Sequence, residues 1–343
     1  MRIRGLGVGL PSRVVKNDEV LALIEAGSRA HLDGATDKVL SKLRTLLRVS
    51  GTQERRWRAP GERAFDFAKI AVDQALQDAA MQPEDIDLLL YVGVGRGWVE
   101  PCMATFFIDR FGMTGATGFD ILDACLSWLR ALHVAEHFLN SGVYKNVLVL
   151  NAEFNVNEFY NFAIRGPDEM AFRFAQMTIG EAATATILTG EDAGIEPLFA
   201  FKTDPKRHDL CKIPLPSIAS FSDQERCPRL DPLVFFAYSA DLVVAAQEMI
   251  PQLYLETPGL PERHCDIVFG HSVSKSLMDD IANRIGLLDR AVNLYPEIGN
   301  CVSASVPAAM AIAIQQGRLK RDMRMLFLVG SAGFSAGICH MAY

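Results

Sequence analysis

Short apolar runs alternate along the chain with longer stretches in which apolar positions recur at helical spacing. The runs predict strands over Ile3–Gly9, Ile86–Val94, Val147–Asn151, Ala183–Thr189, Ile267–Gly270 and Met325–Gly330. Leu88-Leu89-Leu90-Tyr91-Val92 shows no polar alternation, the mark of a strand covered on both faces. The longer stretches predict helices over Asn17–Ile24, Phe65–Ala80, Leu126–Asn140, Pro232–Ile250, Ser274–Gly286 and Ser303–Gln316. Alternation of the two kinds implies an α/β architecture. A duplication is suggested as well, because each half places a helix before a buried strand and ends on an apolar strand. The stretch from about Pro205 to Pro232, rich in Pro, Ser and charge, is expected to loop over the surface.

Composition narrows the class. The chain has 343 residues, half of them hydrophobic, and a net charge of −7. A nucleic-acid partner is not expected from that balance. The run Glu54-Arg55-Arg56-Trp57-Arg58 is short and mixed in sign, so it reads as a solvated face or a local anion contact. No apolar stretch reaches the ~20 residues of a spanning helix, and the N-terminus lacks a signal-peptide core. Seven cysteines are scattered without metal-ligand spacing, so no metal site is expected. Reduced thiols in a cytoplasm fit best, one of them a candidate nucleophile.

Three segments could carry chemistry. In Phe119-Asp120-Ile121-Leu122-Asp123-Ala124-Cys125-Leu126 a short strand runs into a tight turn, and a long helix begins just beyond Cys125. The positive end of a helix favours thiolate, hence a nucleophile; a small buried hydrophobe is the alternative. His271 directly follows the Ile267–Gly270 strand, at the end where α/β folds place ligands. There it could exchange a proton or donate to an oxyanion, or simply be satisfied by backbone groups. Asn300 lies in a small-residue turn opening a helix, where it could offer an amide donor or act as a cap, although Ser303 is the better cap position.

These segments, in this order, resemble the Cys, His and Asn motifs of β-ketoacyl-ACP synthase III and its thiolase-superfamily relatives. The resemblance extends to Leu6-Gly7-Val8-Gly9-Leu10-Pro11-Ser12, to Gly51-Thr52-Gln53-Glu54-Arg55-Arg56, to the strand after the Cys125 helix, and to Gly330-Ser331-Ala332-Gly333-Phe334. It implies a five-layered αβαβα fold of two similar halves, residues 1–195 and 196–343, as a homodimer. It also implies Claisen chemistry: Cys125 carries an acyl group from a thioester, and His271 and Asn300 hold the second thioester's carbonyl oxygen. The N–H groups of Cys125 and Gly333 would form the oxyanion hole. Substrates would be acyl thioesters of CoA or of an acyl carrier protein, with no cofactor. Three features depart from the pattern: only Gly333 remains of the glycine loop, Ser272-Val273-Ser274-Lys275 lacks the family's Asn and Arg, and no Trp stands shortly before Gly51.

Gly97-Trp98-Val99-Glu100-Pro101 occupies the loop that crosses the dimer interface in this family. With Arg96 before it, the Glu-Pro is similar to the long-chain acyl-CoA condensing enzyme of bacterial olefin biosynthesis, as are Phe172–Leu188 and Ser303-Ala304-Ser305-Val306-Pro307. A malonyl donor makes its carbanion by losing CO₂, whereas a plain acyl thioester needs a base, for which Glu100 is the candidate. The expectation is therefore condensation to a β-keto product, of the non-decarboxylative type. Alternatives are a decarboxylative synthase III, an acyltransferase to an alcohol or amine, and a non-catalytic partner subunit. Phe106, Phe107, Met170 and Phe174 could line an acyl tunnel but read better as core. Residues that bind the substrate's carrier remain unassigned.

Overall fold

The computed structural model describes residues 1–32, 34–222, 226–228, 231–271 and 273–343. Two five-stranded sheets organise the chain. The first holds β1 (Arg2–Gly9), β2 (Leu88–Val92), β3 (Thr117–Ile121), β4 (Asn146–Glu153) and β5 (Ala182–Thr189), in the order β1-β5-β4-β2-β3. The second holds β6 (Leu198–Thr203), β7 (Ile267–Gly270), β8 (Ala291–Val292), β9 (Arg324–Ser331) and β10 (Ser335–Ala342), in the order β6-β10-β9-β7-β8. Strand for strand the two orders are the same. Each sheet has two antiparallel pairings followed by two parallel ones.

The pleat sorts side chains into layers. Leu88, Leu90 and Val92 of β2 point into a central core, which they share with Ile267 and Phe269 of β7 and Met325, Phe327 and Val329 of β9. Two helices fill that space, α5 (Ser127–Asn140) and α8 (Ser305–Gln315). Leu89 and Tyr91 point the other way, onto α3 (Ala64–Ala79) and α4 (Met103–Phe111). On the far side, Val268, Leu326 and Leu328 meet α6 (Ser239–Glu256) and α7 (Lys275–Arg284). The result is the thiolase-like five-layered αβαβα fold. Glycine sets the closest approach: a Cβ at Gly7 of β1 would fall 1.9 Å from the Ala71 carbonyl oxygen of α3. A fourth cluster packs α1 (Asn17–Ser28) and α2 (Thr36–Ser50) against Met170 and Met177.

Some boundaries differ from the expected ones. The helix expected over Pro232–Ile250 starts at Ser239, because Phe236-Ala237 pairs as a strand with Cys211-Lys212. It then continues through Pro251 to Glu256. Proline leaves the carbonyl four residues earlier without its helical donor, and that carbonyl, of Gln247, accepts from Arg284 Nη1 at 3.4 Å. The described part of 205–232 is largely irregular, as expected, with residues 223–225, 229 and 230 outside the described set. Strands β6, β8 and β10 and helices α2 and α4 were not expected. No helix among the described residues is long and apolar enough to cross a membrane.

Candidate active site

The Cys125 and His271 segments follow the C-terminal ends of parallel strands β3 and β7, and the turn just beyond Asn300 packs against the Cys125 turn. Cys125 sits in a 3-10 turn, Ala124–Leu126, between β3 and α5. Ala124 takes a left-handed φ of 44°, a strained conformation for a residue with a Cβ. The turn touches the end of β9 and a second 3-10 turn, Val302–Ala304, two residues beyond Asn300. His271 follows β7 directly, and its N–H donates to Leu328 O of β9 at 2.9 Å.

Electrostatics decide the resting protonation states. Cys125 keeps some accessible surface, with protein packed closely around its thiol. Burial pushes its thiol well above the ordinary value, helped by the Cys211 thiol and the Glu153 and Asp123 carboxylates, while its own N–H works weakly the other way. The helix position favours thiolate as expected, but a helix end is worth about 1 kcal/mol, less than one pKa unit. Burial wins, and the resting site holds a neutral thiol. Burial likewise lowers His271 to about 4, so its imidazole is neutral near pH 7. Both ring nitrogens of His271 are buried without a hydrogen-bond partner among the described residues. Backbone groups therefore do not satisfy this histidine.

Asn300 is also buried, and its side chain is oriented. The Val302 N–H donates to Oδ1 at 2.9 Å, and the amide NH₂ has no acceptor among the described residues. Its own N–H and C=O bond to Thr178 O and Gly180 N. Ser303 is not the helix cap expected: Ala304 precedes α8, and the Ser303 hydroxyl bonds to Glu153 Oε1 and to Asn151 Nδ2 at 2.8 Å. Gly333, at φ 117°, lies in the hairpin loop between β9 and β10. Among the described residues, the Gly333 N–H has no protein acceptor, and the Cys125 N–H acts on no group but its own thiol.

Glu100 stands apart. Residues 97–101 form an exposed tip, and the carboxylate has no ion pair or hydrogen bond among the described residues. The base of this loop is held firmly. Glu153 accepts from Val94 N at 3.2 Å and Gly95 N at 2.8 Å, Arg96 donates to Gly93 O at 3.1 Å, and Asp120 takes the Met103 and Ala104 N–H groups.

Other expectations are corrected or sharpened. Arg55 is neither solvated nor an anion contact: it is fully buried, donating to Val15 O and Met177 O, and burial lowers it to about 10. Arg58 in the same run pairs with buried Glu181 at 3.2 Å. Phe107 and Met170 are core residues, and Phe106 and Phe174 pack against core clusters. All seven cysteines are free, and Ser272 lies outside the described residues. Among the described residues, one group could hold a metal ion: His133, Glu136 and His137 of α5 bring ligand atoms within 4.8 Å of one another. Its signal in the sequence is the four-residue spacing of the histidines.

Residues 119–205 match the family described as 3-oxoacyl-[acyl-carrier-protein] synthase III, and residues 255–343 match the C-terminal part of the same family. The chain belongs to the synthase III family. Beta-ketoacyl-[acyl-carrier-protein] synthase III of Methylococcus capsulatus is 27% identical over 345 residues, covering 100% of this chain and 98% of that one. The enzyme of the same name from Xylella fastidiosa is 28% identical, with the same coverage. Among solved structures, OleA of Xanthomonas campestris superposes with a TM-score of 0.83 at 20% identity, covering 99% of this chain and 96% of that one. Synthase III of Aquifex aeolicus gives 0.77 at 21%, covering 100% and 99%. A Cys-to-Ser variant of OleA, at 0.82 and 19% over 99% and 98%, carries lauric acid and lauroyl-CoA.

As a synthase III family member the chain is a thiolase-superfamily condensing enzyme, a transferase that works on thioesters. What the sequence did not single out is the support around the turns. Glu153, Asn151 and the strain at Ala124 and Val302 carry no recognisable signal, because each matters only through contacts across the two sheets.

Proposed function

We propose that the chain joins two acyl thioesters head to head without decarboxylation, through a Cys125 acyl-enzyme and with Glu100 of a second copy as the base. The observation that carries the condensation is the buried His271 imidazole, without a partner among the described residues, which follows β7 and is bonded through its N–H to β9, the strand whose last residue touches the Cys125 turn. A buried polar group with no partner costs on the order of 1–3 kcal/mol, so a substrate oxygen is its natural complement. In the first step the Cys125 thiol passes its proton to His271 as sulfur adds to the thioester carbonyl carbon. The oxyanion rests on the Cys125 and Gly333 N–H groups, and collapse expels the thiol carrier, which takes the proton back. In the second step Glu100 removes an α-proton from the next thioester. The enolate oxygen accepts from His271 and from the Asn300 amide. The enolate carbon attacks the acyl carbonyl, and collapse releases the Cys125 sulfur and a β-keto thioester.

The dimer is supported by an open edge. Strand β3 pairs only with β2, and Phe119 (39%), Leu122 (63%) and, on the loop tip, Val99 (74%) are exposed. A second copy on this edge would cover them and take up the loop bearing Glu100. Long-chain acyl-CoA is the substrate class we favour, given the lauroyl-CoA held by an OleA variant of the same fold. The second reading is a decarboxylative synthase III, favoured by the names of the curated relatives.

Incubation with lauroyl-CoA alone, and then with a malonyl thioester added, separates the two. The proposed reaction gives a β-keto product from lauroyl-CoA alone, and Glu100→Gln stops it while Cys125 still loads. Mixed dimers of Glu100→Gln and Cys125→Ala keep one complete site and recover condensation. Product only in the presence of malonyl thioester, or a wild-type rate for Glu100→Gln, overturns the base assignment.

A further inference from the structure

Beta strands β4 and β9 occupy equivalent places in their sheets, each eight residues long and paired in the same register to β2 and β7. Their last residues, Glu153 and Ser331, are therefore counterparts. Each reaches a 3-10 turn of the opposite half. Glu153 grips the Val302–Ala304 turn through the Ser303 N–H, at 3.4 Å, and the Ser303 hydroxyl. Ser331 grips the Ala124–Leu126 turn differently. Its hydroxyl donates to Asp123 O at 3.0 Å and accepts from Leu126 N at 3.3 Å, bridging the residues on either side of the nucleophile's turn. The Leu126 N–H is shared with Asp123 O at 2.9 Å, so the three groups close a small ring. The short side chain makes no hydrogen bond to the Cys125 thiol or N–H among the described residues.

Ser331 is also the residue before the 332–334 hairpin loop that presents the Gly333 N–H. One hydroxyl thus links the two backbone segments that carry the Cys125 and Gly333 N–H groups. We propose that Ser331 is a positioning residue that sets the spacing of these two donors and so tunes the oxyanion hole for acyl transfer to Cys125. The inference rests on the acyl-enzyme reading above.

The test compares two reactions of Cys125 that differ in their need for the donors. Acylation by lauroyl-CoA builds charge on the carbonyl oxygen, whereas alkylation by iodoacetamide displaces iodide at carbon and builds none. S331A and S331G are compared with wild type and with S331T, which keeps the hydroxyl, all with their folds checked by circular dichroism. Loosening preorganised donors costs roughly 10- to 100-fold. S331A and S331G should acylate that much more slowly and alkylate within about threefold of wild type, with S331T recovering acylation. Unchanged acylation in both hydroxyl-less variants overturns the proposal, as does a parallel fall in alkylation, which would mean a displaced thiol. Wild type that alkylates at Cys125 yet never acylates would overturn the acyl-enzyme reading instead.

Discussion

The two halves of this enzyme build the same turn twice and use it differently. In the first half, strained Ala124 precedes Cys125, and α5 begins two residues later; in the second, strained Val302, at φ 51°, precedes Ser303, and α8 begins two residues later. Backbone strain and a helix start are thus not what makes a nucleophile here. The difference lies in what reaches each turn from the other sheet. Glu153, almost fully buried, takes the Ser303 hydroxyl and N–H and locks the turn into the frame. Gly93 makes room for this clamp, since a Cβ there would lie 2.2 Å from Glu153 Oε1 and 2.5 Å from Ser303 Oγ. Ser331 bonds to the flanks of the first turn, Asp123 and Leu126, and makes no hydrogen bond to Cys125 among the described residues. On the proposed reading, duplicated architecture has become one working station and one structural joint.

The largest expected effects break this comparison directly. Cys125→Ala should lower turnover at least about 10³-fold and abolish the covalent acyl adduct in intact-protein mass spectrometry. Moving the thiol, as Cys125→Ala with Ser303→Cys, should restore no adduct, because Glu153 holds position 303. An acyl group found on residue 303 would mean that the halves are chemically interchangeable.

Next comes the division of labour around Cys125. On the proposed reading the Asn300 amide meets only the second thioester, so Asn300→Ala should slow condensation about 10²-fold or more and leave loading of Cys125 within a few-fold. Equal losses in both half-reactions, on folded protein, would remove that distinction.

Smaller effects sharpen the picture through stability and pH. Ser303→Ala leaves Glu153 one partner short and should cost about 1–3 kcal/mol in urea unfolding without changing Cys125 acylation. Burial keeps folded His271 neutral down to about pH 4, while the unfolded chain binds that proton near 6.5. The stability it contributes is therefore present above 6.5 and is lost as pH falls from 6.5 to 4, to the extent of about 3 kcal/mol. His271→Ala should flatten the stability profile in that window, whatever its absolute stability. For Cys125 burial works in the opposite direction: alkylation by iodoacetamide in the free enzyme should still be rising past pH 9. A plateau near neutral pH would show the helix end prevailing over burial.

Elements that bury apolar side chains on regular spacing were legible from the chain alone. Strands β2, β7 and β9 and helices α3 and α5 lie where their patterns place them, within a few residues. Strand β10, Ser-Ala-Gly-Ile-Cys-His-Met-Ala, has no such pattern, because small residues suffice between β9 and β6. Strand β8 is only two residues long, too short for any periodicity. Helix α6 crosses Pro251 because Arg284, distant in sequence, serves the carbonyl that proline frees. The basic run around Arg55 reads as surface until the fold encloses it.

The candidate site divides in the same way. The order Cys125, His271, Asn300 and the ends of the strands that bear them follow from the sequence, since motif and element are local properties. The neutral thiol, the imidazole and the Asn300 amide left without partners among the described residues, and the locking of Ser303 were decided by the tertiary structure. Each depends on burial or on a side chain supplied by the opposite half. A single sequence records neither, because contacts between the two sheets leave no periodic trace in either strand.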